Sequence, residues 1–279
     1  MKNIHKIGLS SLLFEDTYKN TSLKLIKILI SNKIDFEVLE NTKDIWARDY
    51  MPIITSDNKI ISYNYKPEYL KEYKNIRTDI NQITISNKKL AIDFHSNIIL
   101  DGGNFIHKDN IVLMTDKIYT ENEHISKNKE IINNIIKNDF NICNLIILPK
   151  VPYDIYGHSD SMVRFIAENT LLVNDFSYES KSYQKKLFEV LKNTKYNLKY
   201  LKYSNSFFNS KRTWGAYLNY LEIKDLIIVP IYGISEDLLV LNQFKTIFPK
   251  KIIIPLKATK IISNGGALNC ISSDLIRIK

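Results

Sequence analysis

The chain has 279 residues, 44% hydrophobic and 25% charged, ordinary proportions for a globular protein able to bury a sizeable core. Its +9 charge is carried mainly by scattered lysines, since only five of the 39 basic residues are Arg, so no nucleic-acid footprint is expected. No apolar run approaches the roughly 20 residues of a membrane helix, the first residues lack a signal-peptide core and two cysteines make no disulfide framework, so a cytoplasmic protein is expected, away from membranes.

Patterns recur in blocks of about fifty residues. In the first, Leu23, Ile26, Leu29 and Ile30 predict a helix over 22–31 and Phe36 to Leu39 a strand, followed by the loop Asp44-Ile45-Trp46-Ala47-Arg48-Asp49. In the second, Pro67 opens a predicted helix with Tyr69, Tyr73, Ile76 and Ile80 on one face. Leu90 to Phe94 then reads as a strand leading towards Asp101-Gly102-Gly103-Asn104. The third places Ile132, Ile135 and Ile136 on a helix and Leu145 to Leu148 in a strand, before Tyr156-Gly157-His158-Ser159-Asp160.

The fourth block has a helical face at Tyr183, Leu187, Val190 and Leu191, a strand from Lys199 to Tyr203, and the motif Trp214-Gly215-Ala216-Tyr217-Leu218-Asn219. In the fifth, Ser235 is the predicted N-cap of a helix with Glu236 and Asp237 in its first turn. Leu238, Leu241 and Phe244 form an incomplete stripe there, and Phe248-Pro249 ends the helix. A strand from Lys251 to Pro255 leads to Ser263-Asn264-Gly265-Gly266-Ala267-Leu268-Asn269-Cys270, and a last apolar run covers 275–278. Any α/β protein alternates helices and strands. What separates this chain is that every block delivers a polar motif at the same stage, so an arrangement around an axis would gather the motifs at its centre.

The polar residues suggest chemistry. The thiol of Cys270 is mostly protonated near neutrality and needs a cation or base to become a nucleophile. His158 exchanges protons in that range, and Asp160, two residues on, would share its side of an extended strand. Asp49 adds a second carboxylate. Two carboxylates beside a nucleophile repel unless something positive lies between them, and a planar guanidinium fits, because it pairs bidentately with carboxylates. Each residue also has a plainer role open to it: His158 as a structural hydrogen-bonder, Asp49 and Asp101 as turn residues, Trp46 as core, Cys270 as a buried thiol. His5, His95, His107 and His124 lack partners at metal-ligand spacing, so no metal is assigned.

In order along the chain, Trp46-Ala47-Arg48-Asp49, Asp101-Gly102-Gly103-Asn104, Gly157-His158-Ser159-Asp160 with Arg164-Phe165, and Asn264-Gly265-Gly266 with Cys270 resemble the agmatine deiminase and bacterial-type peptidylarginine deiminase family, within the guanidine-modifying superfamily. The resemblance covers about residues 44 to 275. It implies a single domain over 1–279, a five-bladed α/β propeller of ββαβ units. It also implies Cys270 as nucleophile, His158 as general acid and base, and Asp49 and Asp160 as the grip on the guanidinium. Trp46, Arg48, Asp101, Gly102, Asn104, Asn219, Gly265 and Gly266 fall on its substrate side. Two positions depart from the usual pattern: Asp101 stands where Glu is common, and Asn269 where His often precedes the cysteine.

The resulting expectation is hydrolytic deimination of a small guanidine without a cofactor, with agmatine first and free or peptidyl arginine next. Amidino transfer, a non-catalytic guanidine-binding relative and a cysteine protease are the alternatives. The expected partner is the substrate itself, with a homo-oligomer compatible with the sequence.

Overall fold

Five apolar strands each collect two partners, one antiparallel and one parallel. The computed structural model describes residues 6–204 and 216–275. Lys6–Ser10 lies between Ser272–Leu275, antiparallel, and Asp35–Leu39, parallel, so the first sheet joins segments from opposite ends of the chain. Ile60–Asn64 sits between Ile53–Ile54 and Phe94–Ile99. Ile111–Thr115 sits between Ile106–Lys108 and Asn144–Leu148. Thr170–Val173 takes Val163–Ala167 and Asn197–Tyr200, and Leu226–Ile231 takes Leu221–Ile223 and Ile252–Lys257.

A parallel pair needs a crossover. Four of the five contain an amphipathic helix: Lys19–Ser31, Lys129–Asp139, Lys181–Asn193 and Glu236–Ile247. Each buries a stripe at helical spacing, Leu25 and Leu29, Ile132 and Ile136, Tyr183, Leu187 and Leu191, and Val240 and Phe244. Leu25, Leu29, Val240 and Phe244 share one apolar core with strand residues Ile7, Leu9 and Ile227 to Val229. No helix among the described residues is long and apolar enough to cross a membrane. Cys143, exposed, and Cys270, buried, are both free thiols.

The second crossover differs from expectation. Residues 67–80 do not form a helix but three single 3₁₀ turns, Glu68–Leu70, Lys74–Ile76 and Ile80–Gln82, followed by the hairpin Thr84–Ile85 with Lys88–Lys89. The Leu70 carbonyl is shared by the Tyr73 N–H (3.0 Å), which closes a turn, and the Arg77 guanidinium (Nε 3.1 Å, Nη2 2.8 Å), which folds the segment back on itself. The next strand begins at Phe94 rather than Leu90, because Asp93 spends its carboxylate on the Ile60 N–H (2.8 Å) just ahead of the ladder. Ser235 occupies the N-cap position without a capping bond. The carboxylate of Asp237 instead accepts the N–H groups of Tyr232, Gly233 and Ile234. The fourth block's last strand is Asn197–Tyr200, two residues early. Trp214, Gly215 and the run beyond Leu275 lie outside the described residues.

Candidate active site

In every unit the chain leaves the parallel strand and enters a polar loop before the next antiparallel strand. These five loops are bonded to one another in chain order. The Gly103 N–H donates to Oδ1 of Asp49 (3.0 Å), and Nε2 of His158 to Oδ2 of Asp101 (2.9 Å). Asn219 Nδ2 donates to Oδ2 of Asp160 (2.7 Å), the Cys270 N–H to Oδ1 of Asn219 (3.2 Å), and the Arg48 N–H to the Cys270 carbonyl (2.9 Å). The circuit therefore closes. Glycines allow its close approaches: a Cβ at Gly102 would lie 2.0 Å from the Arg48 carbonyl oxygen, one at Gly103 2.6 Å from Nδ1 of His158, and one at Gly266 would overlap the Trp46 ring. Gly265 adopts a left-handed φ of +102° beneath Tyr156.

His158 stands between two carboxylates. Its Nδ1 faces Oδ1 of Asp49 at 3.6 Å while Nε2 bonds Asp101. Burial disfavours the imidazolium, but Asp49 and Asp101 outweigh it and push its pKa up to about 9. Asp49 is also buried; burial, with Asp101 and Asp160 nearby, pushes its pKa up to about 7 against the pull of His158. Asp101 is opposed by burial too, yet Lys117 and His158 hold it below the usual carboxylate range. The Lys117 ammonium forms a close ion pair with the same Oδ2 that His158 uses.

Cys270, 7% exposed, points its Sγ at Oδ2 of Asp160 (3.5 Å). That oxygen also accepts Nδ2 of Asn219 and of Asn269 (2.8 Å). Burial first, then the charges of Asp160 and Asp49, push the thiol well above its ordinary value. These surroundings favour an imidazolium at His158 and a protonated thiol at Cys270 near neutral pH.

These groups open on a cavity of about 570 Å³. Asp49, His158, Asp160 and Cys270 all line it, as do Trp46, Asn219, Gly265 and Gly266. Arg48, Asp101, Gly102 and Asn104 do not. Arg48 turns away to Asp274 (3.0 Å), Asp101 backs His158, the Gly102 backbone packs on Arg48, and Asn104 accepts the Thr115 N–H (2.8 Å). His158 and Asp160 share the cavity through a 3₁₀ turn, Ser159–Ser161, rather than through a strand.

Sequence reasoning missed several neighbours. Asp44 lines the cavity with a buried Oδ2 that has no hydrogen-bond partner, and Tyr69 and Tyr156 form a wall beside His158. Asp44 and Tyr156 stand inside the quoted motif loops, which was their available signal. Lys117 had only its position two residues after a buried strand.

A protein from Enterococcus faecalis, provisionally named agmatine deiminase, is 38% identical over 58 residues, 21% of this chain and 16% of the relative. One from Legionella pneumophila with the same provisional name is 24% identical over 196 residues, 64% of this chain and 56% of the relative, so the longer match spans about half of that protein. The solved structure of C. jejuni agmatine deiminase has the same α/β fold, with a TM-score of 0.71 at 20% identity over 99% of this chain and 94% of that one. A family model described as Porphyromonas-type peptidyl-arginine deiminase matches residues 6–275. With nearly the whole described chain matched, the protein belongs to the Porphyromonas-type peptidyl-arginine deiminase family.

Proposed function

We propose that this chain is a single-domain, cysteine-dependent hydrolase that deiminates a guanidine, with agmatine as substrate and N-carbamoylputrescine and ammonia as products. In this reading the five sheets stand as the blades of a propeller; the closed circuit of loop-to-loop hydrogen bonds supports that arrangement. A reducing cytoplasm would keep the Cys270 thiol free.

One observation carries the reading: a thiol facing carboxylates. Buried and next to Asp160 and Asp49, Cys270 holds its proton tightly, so it is poorly suited to attack a neutral carbonyl. A guanidinium gripped by those aspartates supplies the missing positive charge and an electrophilic carbon together. Its arrival lets the thiol shed its proton to water. The thiolate then adds to the guanidinium carbon. The His158 imidazolium protonates the departing nitrogen, which leaves as ammonia, and a covalent thiouronium remains. The neutral imidazole next takes a proton from an attacking water; the tetrahedral adduct collapses, the carbon–sulfur bond breaks and the ureido product leaves. Asn219 and Asn269 keep Asp160 aimed throughout.

Agmatine is favoured by Asp44. It lines the cavity, its Oδ1 accepts the Trp46 N–H (2.7 Å), and its buried, unpartnered Oδ2 is left to pair with the ammonium at the far end of a short chain. A second reading, arginine within a peptide, draws on the mouth of the cavity, where Tyr73, Ile76, Tyr153 and Ile155 are exposed and apolar. Purified protein incubated with agmatine, arginine and an arginyl peptide, with ammonia and ureido product measured, separates these. Failure to turn over any guanidine rejects the enzyme reading.

A further inference from the structure

Lys117 is the only buried lysine among the described residues. Its ammonium contacts Asp101, lies 3.2 Å from Oε1 of Glu121 one helical turn on, and sits 4.8 Å from the centroid of the Tyr69 ring on the cavity wall. A buried lysine is costly unless its charge is matched, and Asp101 alone would match it. Glu121 instead extends a row of alternating sign: Asp49, His158, Asp101, Lys117, Glu121. The lysine stem also supports the histidine's backbone. Gly157, at φ +62°, lies so close that a Cβ there would be 3.3 Å from Cδ of Lys117, and Thr115 Oγ1 holds the Gly157 carbonyl.

We propose that Lys117 is a positioning residue for His158: by sharing Oδ2 of Asp101 it keeps part of that carboxylate's charge from the imidazolium and fixes the ring, so that the proton can be released to the leaving nitrogen. This rests on the reading above, in which His158 moves that proton. The groups facing the imidazole are Asp49, Asp101, Lys117 with Glu121 behind it, Tyr69 and Tyr156, with Asp160 and Cys270 across the cavity. Without Lys117 the whole charge of Asp101 falls on His158, while Glu121, whose pKa burial and Asp101 already push up to about 7, loses the cation that keeps it ionised. The proton is then held too tightly.

The test is the imidazole titration of His158 by nuclear magnetic resonance in the full chain, beside the pH profile of kcat. Lys117→Met should raise the His158 midpoint by about one pH unit, move the alkaline limb of kcat the same way and cut kcat near neutrality about tenfold. Lys117→Arg should restore all three. Glu121→Gln should move the midpoint the other way, and decides alone if Lys117→Met does not fold. A His158 midpoint unchanged in these variants overturns the proposal, even if activity or melting temperature falls. Because the titration needs no turnover, an inactive wild type would reject the deiminase reading separately from this one.

Discussion

Gly103→Ala tests the packing of the acid–base pair directly. A methyl group at residue 103 would start 2.6 Å from Nδ1 of His158 and 2.8 Å from Oδ1 of Asp49, where ordinary contact begins near 3.4 Å. The ring and the carboxylate would each have to retreat by about 0.6 to 0.8 Å, and neither has slack, since Nε2 is tied to Asp101 and Oδ1 to the residue-103 N–H itself. Misplacement on the order of 1 Å can cost about a hundredfold in rate, whereas overpacking costs about 1 to 3 kcal/mol of stability. Steady-state ammonia release from agmatine should fall about a hundredfold in kcat, while the melting temperature drops by only several degrees. Gly233→Ala is the control. It sits at positive φ (+80°), as Gly103 does not, and meets only the end of Lys257 at 3.9 Å, so it should lose about 1 kcal/mol without slowing the reaction. If Gly103→Ala keeps kcat within about twofold of wild type, the catalytic pair is not held as described.

Cys270→Ala should abolish ureido product and covalent adduct by mass spectrometry while still binding a guanidine in calorimetry; residual turnover would identify another nucleophile. Asp44→Asn should raise KM for agmatine about tenfold while leaving that for an uncharged alkylguanidine unchanged, and equal effects on both would remove Asp44 from recognition of the amine. Stability should fall as pH rises from about 5 to 9. His158, raised from 6.5 to about 9, holds a native-state proton that the unfolded chain has lost, so its contribution is complete below 6.5 and gone above 9. Asp49, raised from 3.8 to about 7, also binds its proton more tightly when folded and acts in the same direction at lower pH. Urea denaturation across that range checks the sign, and a rising curve would contradict it.

Much of this arrangement is legible in the sequence. Four of the five crossovers are legible as helices, most plainly where buried residues repeat at helical spacing, as with Ile132 and Ile136 or Tyr183, Leu187 and Leu191, and least in Glu236–Ile247, whose apolar stripe is incomplete. The motif loops are visible because Gly-Gly pairs and clustered polar residues interrupt apolar runs. What periodicity cannot see is competition for backbone groups. Tyr69, Tyr73, Ile76 and Ile80 are spaced for a helix, yet the Leu70 carbonyl is shared by the Tyr73 N–H of a short turn and the Arg77 guanidinium, and the segment becomes separate turns, leaving Tyr73 and Ile76 exposed at the cavity mouth. Nor does a motif show which of its members face inward. Arg48 and Asp49 are adjacent, and the short turn Ala47–Tyr50 sends the first to Asp274 and the second into the cavity.

The two departures from the family pattern acquire physical reasons at the same place. Aspartate is one methylene shorter than glutamate, yet Asp101 still reaches Nε2 of His158 at 2.9 Å, because Gly102 and Gly103 let its loop press against Arg48, Asp49 and His158 without Cβ atoms in the way. Asn269, where a histidine is common, gives its amide to Asp160 at 2.8 Å. A neutral donor there orients the carboxylate without cancelling its charge, as an imidazolium would. Asp160 is thereby aimed at the site of an incoming cation, and burial together with the charges of Asp160 and Asp49 raises the Cys270 thiol, which favours its proton until that cation arrives. Asn269→His, which would place a titratable cation beside Asp160, should lower the Cys270 pKa in the free protein, and rapid alkylation by iodoacetamide near neutral pH should report it. An unchanged alkylation rate would show that the charge on Asp160 does not govern the thiol.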